Sequence, residues 1–417
     1  MTSSKRPKAL FVTYGGGHVS MVLPVISALE RSRPEVDCVL LALTTGHLKA
    51  QAIRPTLGYC DFYHLVDASA AKIWGEKLAR ENVSPDVPHE ETVAYLGINY
   101  LDLVATHGEA GAAALYRDKG RYGFWPLRFM RRLLGEVAPD VVVATNSPRS
   151  EQAALEAARA MGIPSVGMVD LFGLSADPFV TRATKPDWTC VISEIVKQRL
   201  VAQGFDDKHV VATGNPAFDG LSSSENTRLA VEFVERQGWR GLSPILWAGH
   251  KEAADVGVTP TQTGHEFAIG VETALREFVR HRSDTALVVR YHPSEWHTFA
   301  RLAPQDRVHF SVPLEEPIHP LILAAKAVVV QNSTVGLEAA VAGVPVVSLE
   351  YAPSIRRSFS LAEMSVTTPC YGEGDLAGIL DGLMVAPIEA STNYASDAKA
   401  SGRVASVIAK AMLTVVS

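Results

Sequence analysis

The residues able to do chemistry stand in polar turns, each after a short apolar run that reads as a buried parallel strand. His18 follows Gly15-Gly16-Gly17 in this way. Gly16 and Gly17 could let a phosphate or a sugar approach the backbone. An imidazole there could take a proton from a hydroxyl, since its unperturbed pKa is about 6.5. It could equally bond a nearby backbone group and do no chemistry. The positive end of the helix that follows should disfavour its protonated form and keep it available as a base. Asp170 ends the run 165–169 and, in a parallel sheet, faces the same edge as His18. It could orient that histidine, act as base itself, or cap a helix. His250 and Lys251 follow the run 244–248, and Arg290 and His292 lie at the end of the run 286–291. Lysine is a flexible point charge suited to a diphosphate. Asn332, Ser333 and Thr334 follow the run 327–330 and are all good helix caps, while Gly336 lets the backbone come close to a ligand. The free N–H groups of a helix start suit a phosphate. Glu338, in that helix's first turn, could accept from vicinal hydroxyls. An ordinary strand–helix–strand unit would carry the same residues.

Such turns meet only if strands and helices alternate, and here they do. A helix is expected over about residues 20–30, with Pro24 in or near its first turn. Others are expected over about 69–80, 90–103, 127–136, 151–161, 227–237, 265–281, 337–342, 377–384 and 398–416. Gly343 and Pro345 stop the helix at 337–342. Tyr122, Phe124, Trp125 and Phe129 form either a local hydrophobic cluster or a wall beside a substrate. The segment Gly220–Asn226, rich in Ser, reads as a linker. The pattern divides the chain into a first domain at 1–219, a linker at 220–226, a second domain at 227–395 and a final helix at 396–417. The fold class is α/β, with two doubly wound Rossmann-like domains facing across a cleft.

A length of 417 residues suits two or three domains, and 47% hydrophobic with 20% charged residues is the balance of a globular protein. A net charge of −6 speaks against nucleic acid as the main partner. The four cysteines show no C-x-x-C pair and read as reduced cytosolic thiols. The start of the chain is too short in apolar residues for a signal core or a spanning helix, which leaves a cytoplasmic protein, with peripheral contact at the inner membrane face open. The glycine turn is not a dinucleotide fingerprint: its register ends on Ser20, and the strand at 36–44 ends without an acidic residue. No histidine pair has H-x-x-x-H spacing, so no metal site is expected.

The segment Asn332-Ser333-Thr334-Val335-Gly336-Leu337-Glu338-Ala339, with Gly343-Val344-Pro345-Val346 after it, resembles the donor-binding segment of GT-B glycosyltransferases. It is closest to the capsule-polysaccharide (Kdo-transferase-like) group. Arg290-Tyr291-His292-Pro293 is similar to a turn of that group and of the CDP-glycerol-type polymer transferases. Gly15 to His18 resembles the first loop of other GT-B enzymes, in some of which the histidine is the general base. The resemblance implies a metal-independent glycosyltransferase moving a sugar from a nucleotide sugar to a carbohydrate or other hydroxyl acceptor, in bacterial surface-polysaccharide or glycoconjugate synthesis. It implies no cofactor beyond the donor substrate. Ser333–Gly336, Lys251 and His292 would hold the diphosphate, Glu338 the ribose, and His18 or Asp170 would be the base. The alternative is a UDP-N-acetylglucosamine 2-epimerase, which shares the fold. Gly249-His250-Lys251-Glu252 is loosely similar to that family's His-Arg-Arg-Glu turn, whereas its Gly-Thr-Arg-Pro first loop is replaced here. A nucleotide-sugar-binding protein without activity, and a dinucleotide oxidoreductase, are further alternatives.

Overall fold

The computed structural model describes residues 6–82, 86–170, 172–174, 177–252, 264–313, 315–357, 360–385 and 397–413. The chain divides into two compact units, Met1–Ala217 with Lys399–Ser417, and Phe218–Ala398. In the first, β1 (Lys8–Tyr14), β2 (Asp37–Leu43), β3 (Val141–Thr145), β4 (Ser165–Val169), β5 (Trp188–Val191) and β6 (Val210–Ala212) pair in parallel, in the order β2-β1-β3-β4-β5-β6. These strands are rich in Val, Leu and Ala because helices cover both faces of the sheet. The helices are α1 (Gly15–Ser32), α2 (Thr45–Gln51), α3 (Ala68–Ala79), α4 (His89–Lys119), α5 (Leu127–Val137), α6 (Ser150–Ala160), α7 (Pro178–Thr181) and α8 (Glu194–Ala202). The chain leaves β1 first to β2 and then, on the other side, to β3. The order therefore reverses between β1 and β3, and the carboxyl ends of those strands open a crevice.

The second unit repeats the plan. Here β7 (Ser243–Gly249), β8 (Thr285–Tyr291), β9 (Val308–Phe310), β10 (Ala327–Val330), β11 (Val346–Leu349) and β12 (Thr368–Cys370) pair in parallel, in the order β12-β11-β10-β7-β8-β9. They are joined or flanked by α9 (Ser224–Arg236), α10 (Glu266–His281), α11 (Ile318–Ala324), α12 (Thr334–Val341) and α13 (Leu376–Val385). The order reverses between β7 and β10. The last helix, α14 (Ala400–Leu413), belongs to the first unit. Its Val404, Val407, Ile408 and Ala411 share a core with Val22, Ile26 and Leu29 of α1, and Arg403 Nε donates to the Thr213 carbonyl at 2.7 Å. The two sheets are those of a GT-B fold, two Rossmann-like α/β domains.

Several helices depart from expectation. The first starts at Gly15 and not near Ser20, because Gly15 itself makes the turn at φ +82° and Gly16 and Gly17 are already helical. Pro24 therefore lies inside α1 and not in its first turn, and removes one backbone bond to Ser20. The helix expected at 90–103 runs on to Lys119 across a kink at Gly108, where φ is +70°. The helix expected from Leu337 begins at Thr334, capped by Ser333 Oγ, which accepts from Val335 N at 3.3 Å. In residues 220–226, Asn226 Nδ2 donates to the carbonyls of Gly220 and Leu221, and Ser223 caps α9. The aromatic cluster is split: Phe124 and Phe129 are in the core, while Tyr122 and Trp125 are exposed. The start of the basic amino terminus, residues 1–5, and the end expected for the last helix, 414–416, lie outside the described residues.

Candidate active site

In the first unit the ends of β1, β3 and β4 bring together groups that hold protons. His18 stands in the first turn of α1, and Asp170 directly follows β4. His18 Nε2 lies 3.3 Å from Asp170 Oδ2, with side chains 18% and 29% exposed. The other ring nitrogen, Nδ1, is 3.3 Å from Ser147 Oγ in the turn after β3. Burial lowers the His18 pKa. The hydrogen bond and charge of Asp170, the charge of Glu151 and the Tyr14 carbonyl raise it by more, so it ends above its ordinary value. The helix start was expected to disfavour the protonated ring; the Asp170 carboxylate bonded to it is the main group favouring that form, and the net shift is upward despite burial.

Glu151 was missed as a candidate. It lies in the first turn of α6, has no exposed surface, and its Oε1 accepts from Thr145 Oγ1 at 3.2 Å. Its Oε2 is buried with no partner. Burial pushes its pKa up to about 7, against smaller opposing effects from His18 and the Thr145 hydrogen bond. A carboxyl group that keeps its proton near neutrality thus stands behind an imidazole whose partner is a second carboxylate. The sequence signal was present, a Glu just after a buried strand's polar turn, but it reads as a partner for the helix dipole. Beside it, Arg149 stacks its guanidinium 4.5 Å from the Tyr14 ring centre. Gly16 and Gly17 leave open space. A Cβ on Gly16 would come no nearer than 3.8 Å to Lys49, and one on Gly17 would meet nothing within 4 Å.

In the second unit a cavity of about 460 Å³ lies at the β7–β10 reversal. His250, Arg290, His292, Asn332, Ser333, Thr334 and Glu338 all line it. His250 N donates to Gln331 Oε1 at 2.8 Å, and His250 Nδ1 is 3.1 Å from the Lys251 carbonyl. With its proton on Nδ1, the ring offers Nε2 as an acceptor; that atom has no protein partner. Gln331 Nε2 donates to the buried Glu252, which fixes the turn from behind. Glu338 Oε2 pairs with His319 Nε2 at 3.2 Å. His292 Nδ1 is 2.8 Å from Ser294 Oγ. Arg290 is 6% exposed, and its NH1 donates to Ser311 Oγ and the Glu316 carbonyl, both at 2.7 Å. Burial lowers its pKa.

Two expected donor-site residues stand elsewhere. Lys251 is exposed and not among the residues lining the cavity; its N–H donates to Glu295 Oε1 at 2.6 Å. Gly336 does not open the backbone to a ligand. A Cβ there would lie 2.8 Å from Leu361 Cδ1 and 3.0 Å from Val330 Cγ2, so glycine lets α12 sit against β10. Among the described residues no cluster of His, Cys, Asp and Glu could hold a metal ion, and no helix is long and apolar enough to cross a membrane.

The family model for UDP-N-acetylglucosamine 2-epimerase matches residues 184–365. No curated protein matches the chain. Among solved structures, the UDP complex of MnaA from S. aureus superposes with a TM-score of 0.60 at 15% identity, covering 98% of both chains. The UDP-GlcNAc 2-epimerase of Neisseria meningitidis bound to UDP-GlcNAc gives 0.59 at 14%, covering 98% of this chain and 100% of that one. The wall teichoic acid polymerase TagF gives 0.54 at 12%, covering 98% and 90%. At these identities the likeness establishes the fold.

Proposed function

We propose that this chain is an enzyme acting on a UDP-linked N-acetylhexosamine, and that its reaction is epimerisation at C2. The observation that carries this reading is the His18–Asp170 pair backed by the buried Glu151. Inverting C2 means taking its hydrogen away as a proton and returning a proton to the opposite face. No carbonyl stabilises that carbon. The C–H electrons therefore form a C1–C2 double bond while the C1–O bond breaks and UDP leaves with its electron pair. Addition of UDP back across the double bond, with protonation at C2 from the other side, completes the inversion. Such a cycle needs one group to accept a proton and another to give one. Asp170 accepts the C2 proton and His18 returns one; bonded to each other at 3.3 Å, the two stand on one side of the sugar, so the unsaturated sugar turns over between the two steps, and Glu151 holds the proton that restores His18. Transfer to a hydroxyl needs only one base. The family match over residues 184–365 supports the same substrate.

In this reading the second unit holds the nucleotide. The start of α12 faces the diphosphate, Ser333 and Thr334 offer hydroxyl donors, and His250 and His292 stand at its edge. Glu338 takes the ribose hydroxyls. Lys251 reaches the diphosphate only by its flexible side chain.

The second reading is a metal-independent glycosyltransferase of surface-polysaccharide synthesis. The likeness of Asn332–Glu338 to the capsule-transferase segment, and of Gly15–His18 to other GT-B first loops, favours it. Product analysis separates the two. Incubated with UDP-N-acetylglucosamine alone, an epimerase yields the 2-epimer or free UDP with an unsaturated sugar. A transferase leaves the donor intact until a hydroxyl acceptor is added.

A further inference from the structure

Two hollows in the first unit take no part in the chemistry above. One, of about 370 Å³, is lined by Tyr14, Thr44, Thr45 and Tyr95 among others; the second, of about 520 Å³, by Trp74, Tyr100 and Tyr116 among others. They meet at Glu81, Asn82 and Arg121, which line both. Each has the size of a small-ligand site, and together they make a trough longer than one sugar ring needs.

We propose that this trough binds an anionic oligosaccharide whose inner end reaches Tyr14. Aromatic walls with polar edges suit rings that carry C–H faces and hydroxyl rims. At the inner end, the Tyr95 hydroxyl is buried without a protein partner. A buried polar group left unpaired in a native fold calls for an explanation, and a ligand hydroxyl supplies one. Asn82 is held by bonds from Nδ2 to the Leu78 carbonyl and to Tyr116 Oη, at 2.8 and 3.2 Å, so the junction is pre-ordered. The charge balance sets the sign of the ligand. Lys77, Arg117 and Arg121 face the trough against Glu81 and Glu91. Glu91 is already committed, its two oxygens accepting from the N–H groups of Tyr59 and Cys60. Among the described residues no ion pair engages Arg117 or Arg121. The inner end is also next to the proton-holding groups, because Tyr14 stacks with Arg149 and its carbonyl bonds His18. This ligand is distinct from the nucleotide sugar and needs no nucleotide to bind.

The test is calorimetry on the full chain without nucleotide, using hexagalacturonate as the anionic probe and maltohexaose as the neutral one, with UDP titrated separately. Hexagalacturonate should bind at one site, lose at least tenfold in affinity on Arg121→Ala, and weaken with added salt, while Arg121→Ala leaves UDP affinity unchanged. No heat from hexagalacturonate at millimolar concentration, equal binding of maltohexaose, or an Arg121→Ala variant that binds like wild type would overturn the proposal. Failure of UDP to bind while hexagalacturonate binds would instead overturn the nucleotide reading and leave this one standing.

Discussion

Replacing Glu151 by Gln should stabilise the protein, and by more the higher the pH. Glu151 has no exposed surface, and its pKa rises from 4.5 to about 7 on folding. A carboxyl raised in the folded state favours folding most below its unfolded pKa, and that contribution is lost as pH rises through the folded value. With a shift of about 2.5 units at 1.36 kcal/mol each, wild type loses about 3 kcal/mol in all relative to a neutral side chain. Roughly 1.4 kcal/mol of this is lost by about pH 5.5 and the full amount by about pH 8.5. The Gln side chain stays neutral and keeps an oxygen for Thr145 Oγ1. The gain of the variant over wild type should therefore grow by about 2 kcal/mol between those pH values. Urea denaturation of both proteins at the two pH values measures it. A gain that is the same at both would show that Glu151 is not a buried acid, and would remove the proton reserve from the mechanism.

Other substitutions probe the remaining parts. Asp170→Asn should bring the His18 pKa down, since burial then goes largely unopposed, and should cut turnover by roughly 10²–10⁴-fold; an unchanged His18 titration by NMR would refute the pairing. Glu338→Ala should weaken UDP binding by about 1–3 kcal/mol in calorimetry, and equal affinity would remove its ribose role. Gly336→Ala should destabilise the second unit by about 1–3 kcal/mol, because its Cβ would crowd Leu361 and Val330. A neutral or stabilising result would mean that the packing there is loose.

Strands were the most legible feature, because a strand covered on both faces must be an unbroken apolar run, as in Val141–Thr145 and Ala327–Val330. The turns at their ends could then be placed on one edge, and His18 and Asp170 do meet there. What failed depended on tertiary context. Gly15-Gly16-Gly17 reads as loop because glycine weakens helices by about 1 kcal/mol each, yet α1 is helical from Gly15 on, ahead of the Val19, Val22, Ile26 and Leu29 that it packs into the core shared with α14. The sign of the His18 shift turned on whether Asp170 bonds the ring or only shares its edge, which the 3.3 Å approach decides. Gly336 could not be assigned either: permissive backbone and close packing ask for the same residue, and only Leu361 and Val330 tell them apart. Phe124 and Trp125 are adjacent in sequence and of one chemical type, but the first is buried and the second half exposed.

Exchange at C2 of the sugar tests the central claim most directly. The protein is incubated with UDP-N-acetylglucosamine in deuterated water, with no acceptor present, and the sugar protons are followed by NMR. Proton removal and return by His18 and Asp170 should replace the C2 proton by deuterium as the 2-epimer accumulates, and both should vanish in Asp170→Asn. A C2 proton that persists, with the donor consumed only after a hydroxyl acceptor is added, would contradict the epimerase account and establish transfer in its place.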